Sequence, residues 1–193
     1  MSNILWIDTE TTGLDANIHG LREIACIVEI DGKEIERFNI LLDPFSCCTR
    51  EIYMSKYVKD VMLKGDCNFS DHKTYINGYI DFKDILLKYI DIADKKNSFV
   101  MAGYNVDFDS NFIKQLFKDY DGHFSSIFSY RQIDILSFAR TLSYAGCFEV
   151  DNFKLETVCA KFGIYFDAHN ALEDIVATRD LYEALVENYI VSE

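Results

Sequence analysis

The chain has 193 residues, enough for one domain of ordinary size, and residues 1–193 are expected to form a single domain. Its net charge of −13 argues against a protein that coats long duplexes through a basic surface; an enzyme that handles only a strand end escapes this objection. With 49% hydrophobic residues, no apolar run near the ~20 residues of a membrane span, and six cysteines without CxxC spacing or a leader, the chain reads as soluble and cytoplasmic, in a reducing compartment, with no membrane partner.

Residues 3–8 contain the continuous apolar run Ile4-Leu5-Trp6-Ile7, which predicts a central strand covered on both faces. Strands at 23–30 and 33–42 flank Asp31-Gly32, a two-residue hairpin signal, so the first three strands form an antiparallel meander. Helices are predicted over 55–64 and 78–90, the second with Ile80, Ile85, Leu86, Tyr89 and Ile90 on one broad side. A fourth strand follows at 98–102 and a helix at 109–118. A short fifth strand at 133–136 runs into a helix at 137–145. Residues 153–162 form a helix that Gly163 stops. The last helix spans 171–189, opened by Asn170 with Glu173 at capping-box spacing. Its stripe is Leu172, Ile175, Val176, Leu181 and Leu185, which leaves Asp174 in the first turn and off the stripe. Three antiparallel strands, then alternating strand and helix, predict a mixed five-stranded α/β sheet with helices on both faces.

Four carboxylates and one imidazole stand at element boundaries: Asp8, Glu10, Asp109, Asp174 and His169. Asp8 and Glu10 share a face at the end of an apolar strand. Bringing such acids together is costly, because each like-charged pair at about 4 Å repels by about 4 kcal/mol at an effective dielectric of 20. A fold tolerates this by raising pKa values or by binding cations. Oxygen-only ligands favour Mg²⁺ or Mn²⁺ over zinc, and two such ions ~3.5–4 Å apart suit an in-line phosphoryl displacement. A histidine beside them suits proton removal from an attacking water.

Other candidates carry plainer readings. Cys47, Cys48, Cys67 and His72 match no common zinc-finger spacing. Asp134 reads as the cap of the helix that follows it. His19, His72 and His123 fall in loop-like surroundings. Lys56, Lys59 and Lys64 with Tyr53 and Tyr57 read as a solvated helix face rather than a strand guide. Residues 132–138 superficially resemble a sliding-clamp peptide, but look like a core strand with its helix.

Asp8-Thr9-Glu10-Thr11-Thr12-Gly13-Leu14 resembles the first motif of the DEDD superfamily of 3′→5′ exonucleases, in the histidine-marked DnaQ-like and RNase T-like branch. Tyr104 to Phe112 resembles the second motif, in which the acid follows a Phe, here Phe108-Asp109; Asp107 is a competing acid. His169 to Asp174 resembles the third, and weaker similarity at Gln132–Leu136, Lys154–Cys159 and Phe162–Ile164 extends the likeness over nearly the whole chain. Tyr104 departs from the histidine of many relatives. The resemblance implies a ribonuclease H-like fold and two divalent ions, Mg²⁺ or Mn²⁺. Asp8, Glu10 and Asp174 would bind one, Asp8 would bridge to the second, and Asp109 would contact that second ion directly or through water. His169 would be the general base. Thr11, Leu14 and Asn105 would bind substrate, Leu14 wedging against the terminal base.

The implied activity is removal of nucleoside 5′-monophosphates from single-stranded 3′ ends, with DNA slightly preferred over RNA. An RNase T-like RNA-trimming enzyme is the alternative, and a non-catalytic nucleic-acid-binding module of the same fold is a further one. The chain stops soon after its last helix, so a free-standing nuclease without a polymerase or clamp tail is expected. No oligomeric state is read from the sequence.

Overall fold

Alternation along the first strand makes two cores. In the computed structural model, which describes residues 3–94, 97–167 and 170–191, β1 (Asn3–Thr11) is the spine of the sheet. Leu5 and Ile7 face one side, where they join Ile24, Cys26 and Val28 from β2 (Leu21–Ile30). Trp6 faces the other, with Ala25 and Ile27. Successive strand side chains point to opposite faces, so a strand apolar at every position must be covered twice. Each such fully buried aliphatic side chain contributes about 1.5–3 kcal/mol.

β1 pairs antiparallel with β2, and β2 pairs antiparallel with β3 (Lys33–Asp43). The expected tight turn joins them, with Asp31 and Gly32 both at positive φ (51° and 76°), the type I′ combination. β5 (Phe99–Gly103) lies parallel to β1, and β6 (Phe128–Asp134) parallel to β5. A two-residue strand, β4 (Lys73–Thr74), pairs parallel with β3 and adds a sixth strand to the five expected, in the order β4-β3-β2-β1-β5-β6. The ribonuclease H-like α/β architecture is therefore present.

One face is covered by α1 (Tyr75–Leu87), α2 (Val106–Asp119) and the short α3 (Phe124–Ile127). The other is covered by α4 (Ile135–Tyr144), α5 (Leu155–Lys161) and α6 (Ala171–Tyr189). The bounds of α6 are those expected: Asn170 accepts from the backbone N–H groups of Leu172 and Glu173. Glu173, however, does not close a capping box. Its carboxylate accepts from the Asp167 N–H and so ties down the preceding segment. Gly163 (φ +75°) ends α5 in a Schellman turn, with Gly163 N–H on Ala160 O and Ile164 N–H on Cys159 O.

Three expectations need correction. The helix expected at 55–64 is shorter, covering residues 56–62, and is π-helical over Val58–Met62; only Val58 of that turn is buried and no apolar stripe holds a longer helix. The buried side of α1 is aromatic, formed by Tyr75, Tyr79 and Phe82 with Leu86, and leaves Ile80 44% exposed. The strand before α4 begins at Phe128 rather than 133; as an edge strand it carries Ser129, Tyr130, Arg131 and Gln132 and lacks an apolar signature.

Candidate active site

Both cores end at the C-terminal tip of β1. Asp8 and Glu10 lie on the α6 side of this strand, and Thr9 lies on the α2 side. Asp109 is the fourth residue of α2 and Asp174 the fourth of α6, so each helix carries its acid in the N-terminal turn, where the dipole favours negative charge. Asp109 is almost fully buried, at 3% exposure, and its carboxylate accepts a 2.7 Å hydrogen bond from Thr9 Oγ1.

The electrostatics record the convergence. Burial holds the Asp8 carboxyl well above the usual carboxylate range, and the charges of Asp109, Asp174, Glu10 and Glu23 raise it further. Burial likewise pushes Asp109 up, to about 7, against the opposing hydrogen bond from Thr9. Asp8 thus feels the charge of Glu10, Asp109 and Asp174, and Asp109 feels that of Glu10. Glu23, a fifth acid, joins them from β2 as the register partner of Glu10, and Asn39 holds its carboxylate at 2.7 Å.

Glu10 has a positive neighbour that local patterning did not point to. Arg22 Nη2 donates to Glu10 Oε2 at 2.8 Å, and Arg22 Nε donates to the Thr11 carbonyl at 3.1 Å. The guanidinium fills the register irregularity between Glu10 and Thr11 and offsets one of the clustered charges. Only the β1–β2 register puts Arg22 and Glu23 here, so the signal lay in cross-strand pairing rather than in a motif.

The turn after β1 is tightly built. Thr11 Oγ1 donates to Gly13 O at 2.7 Å, and Thr12, fully buried, bonds Tyr53 O and the Gly20 N–H through its hydroxyl. A Cβ on Gly13 would sit 2.3 Å from the His19 ring, so any side chain here would have to displace that ring. Leu14 projects from the turn with 85% of its surface exposed. Arg50 fixes the far side of this loop: it donates to the carbonyls of Asn17 and His19 and to both Asp119 oxygens at 2.9 and 3.1 Å. The loop carrying Leu14 is thereby bolted to the end of α2.

Asn105 precedes α2 in the left-handed conformation (φ 65°), which Asn tolerates better than most residues. Its N–H donates to Asp134 Oδ1 at 2.8 Å, and Asp134 in turn caps α4 through the Ser137 N–H, the structural role expected of it. Tyr104 donates to Phe153 O at 2.8 Å, bracing the same connection from below. His169 lies outside the described residues, one position before the Asn170 cap of α6.

The donor set consists of hard carboxylate oxygens in a concentrated negative potential, which fits Mg²⁺ or Mn²⁺. Among the described residues, no three His, Cys, Asp or Glu side chains stand in ligating geometry: Glu10 is engaged by Arg22 and Asp109 by Thr9. Among those residues, too, no helix is long and apolar enough to cross a membrane.

A PolC-type DNA polymerase III of Lacticaseibacillus paracasei is 27% identical over 179 residues, covering 92% of this chain and 11% of that protein. An oligoribonuclease of Buchnera aphidicola is 28% identical over 138 residues, 70% of this chain and 81% of that protein. The structure of E. coli exonuclease I in complex with a dT13 oligonucleotide aligns with a TM-score of 0.75 at 17% identity, over 97% of this chain and 41% of that one, a likeness of fold. The chain therefore spans 11% of the PolC-type relative's length and less than half of exonuclease I. The RNase_T family model, described as Exonuclease, matches residues 5–182, from Leu5 in β1 to Tyr182 in α6. That match takes in both walls of the acidic cleft, and the chain belongs to this exonuclease family, within the DnaQ-like DEDD superfamily.

Proposed function

We propose that this protein is a divalent-metal-dependent 3′→5′ exonuclease that hydrolyses the terminal phosphodiester of single-stranded nucleic acid, DNA in preference to RNA, and releases nucleoside 5′-monophosphates. The observation that supports this reading is the concentrated negative field at the tip of β1, where burial and the charges of Asp109, Asp174 and Glu10 all raise Asp8. Bound Mg²⁺ or Mn²⁺ would supply Lewis-acid stabilisation of the negative charge that develops on the phosphodiester oxygens. Asp8, Glu10 and Asp174 are the residues to hold one ion and Asp8 with Asp109 the other. Thr9 keeps the Asp109 carboxylate oriented through its hydrogen bond. His169 accepts the proton of the attacking water. The exposed Leu14 packs against the terminal base, and Thr11 and Asn105 supply further substrate contacts.

The likeness to PolC-type polymerases supports DNA, and the likeness to an oligoribonuclease makes RNA the arm to compare. The test uses 5′-labelled single-stranded DNA, duplex DNA and RNA, each with Mg²⁺, Mn²⁺ or EDTA. Stepwise shortening from the 3′ end of single-stranded DNA, abolished by EDTA, is the expected result. Internal cleavage, or shortening that survives EDTA, would overturn the reading. His169→Ala should slow turnover by about 10²–10⁴-fold, while the rise in melting temperature on adding Mg²⁺ is retained. Loss of that rise would assign His169 to metal binding instead.

A further inference from the structure

A cleft of about 390 Å³ opens beside the acidic cluster, between the Leu14 turn and the outward face of α2. Phe108, next to Asp109, and the exposed Leu14 form its apolar end. Beyond them the wall is polar: Asn111, Lys114, Gln115 and Lys118. We propose that this cleft is a phosphate track for the nucleotides upstream of the scissile bond, with Lys114 and Lys118 each taking one backbone phosphate. The inference rests on the exonuclease reading and adds to it the route by which the strand leaves the site.

Three observations carry it. First, the two lysines lie on one helix face at i and i+4, separated by about 6 Å of helical rise. They follow Asp109 by about 7.5 and 13.5 Å of rise, so they recede successively along the helix axis. Second, both side chains are exposed, and among the described residues neither forms an ion pair. The Lys114 ammonium rests over the Phe124 ring at 5.6 Å, which leaves its charge available to an anion. In a chain of net charge −13, the placement of these two cations along one cleft, rather than any overall basic surface, is what would draw a phosphate there. Third, the acid that shares the cleft is held by its own loop: Asp15 Oδ1 accepts from the N–H and the amide of Asn17, both at 2.9 Å.

Fluorescence anisotropy of a 5′-labelled dT10 with Ca²⁺ in place of Mg²⁺, repeated across salt concentrations, tests this. Each phosphate contact on a single strand contributes about −0.7 to the slope of log K against log salt, so Lys114→Gln/Lys118→Gln should flatten it by about 1.4. Lys114→Arg/Lys118→Arg should keep the wild-type slope. Lys56→Gln/Lys59→Gln, the same loss of charge on the exposed turn after Ser55, should also leave it unchanged. In Mg²⁺, the Gln double variant should trim dT10 with a raised KM and a dinucleotide as well as wild type does. An unaltered salt slope, an equal loss on the dinucleotide, or the same flattening from the Lys56/Lys59 pair would overturn the track while leaving the exonuclease reading standing. Wild-type protein that neither binds nor trims any strand would overturn both.

Discussion

α2 and α6 deliver their acids in the same way, each with an aspartate at the fourth position of a helix aimed at the tip of β1. Their outward faces are opposite. α2 exposes Lys114 and Lys118 without ion pairs among the described residues. α6 exposes Asp180, Glu183 and Glu187, and its one basic residue, Arg179, is committed to Glu29 at 3.0 Å and Glu34 at 2.9 Å. The inner chemistry of the cleft is nearly symmetric about β1, and the outer electrostatics are not. On the track proposed above, a polyanion with one phosphate among the acids would be repelled along α6 and attracted along α2. The comparison teaches that the inward acids and the outward charges of a helix are set separately, so the same α2 can present Asp109 to β1 and Lys114 and Lys118 to solvent.

The inward symmetry breaks most completely at Asp8, which feels both helices' aspartates. Asp8→Asn should reduce hydrolysis to background and shrink the Mg²⁺-dependent rise in melting temperature. It should also stabilise the metal-free protein, because it removes a buried like-charge interaction. The pH dependence has a definite sign. Asp8 and Asp109 are raised in the folded state, Asp109 to about 7, so folding takes up protons there. Metal-free stability from this source is fully present below the unfolded carboxylate range near about 4 and is lost as pH rises toward about 7. Thermal melts in EDTA across that interval should show wild type falling and Asp8→Asn falling less. Parallel curves would mean that the two acids do not share a field.

Much of the cleft was legible because its residues are chemically expensive. Asp8 and Glu10 at the end of an apolar strand needed an explanation, and Asn170 with its stripe fixed α6 to the residue. What escaped depends on pairing across long sequence distance. Arg22 and Glu23 join the acids only through the β1–β2 register, and Arg50 reaches Asp119 across 69 residues. The apolar side of α1 was misassigned for a different reason. Ile80 and Tyr79 both fit a helical stripe, and only the bulk of Tyr79 and Phe82 packing on Phe117 and Phe128 decides which faces inward. The polar edge strand β6 carried no hydrophobic period at all.

A second break separates the anchoring of α2 from its chemistry. Asp119 is the last residue of α2, where the helix dipole disfavours an acid, and its side chain is only 4% exposed. Arg50 and Gln115 satisfy it. Arg50→Leu strands that charge and should cost about 3–5 kcal/mol in chemical denaturation. The double variant Arg50→Leu/Asp119→Leu should recover much of the loss. Because Arg50 also holds the Asn17 and His19 carbonyls, both variants should raise KM for oligonucleotides more than they lower kcat. A fall in kcat alone would mean that the Leu14 loop needs no such brace.

The smallest expected effect is the most informative about the acids. Arg22 and Glu10 are both largely shielded, at 13% and 15% side-chain exposure, and the guanidinium has two anchors, one side chain and one main chain. Arg22 could serve the cleft by lending charge or by orienting Glu10, and the two roles differ in sign. If charge dominates, Arg22→Gln deepens the negative potential, so a divalent ion binds about three- to tenfold more tightly, up to ~1.4 kcal/mol, while the metal-free protein melts lower. If orientation dominates, Glu10 swings and the ion binds more weakly. The geometry favours charge, because the Thr11 carbonyl already fixes the guanidinium and Glu10 is carried by a paired strand. Mn²⁺ titration followed by melting temperature separates the two, and Arg22→Lys, which keeps the charge but cannot reproduce both bonds, should lie near wild type. Weaker Mn²⁺ binding in Arg22→Gln would recast Arg22 as a rotamer lock on Glu10 and leave the repulsion among Asp8, Asp109 and Asp174 to be relieved by the ion alone.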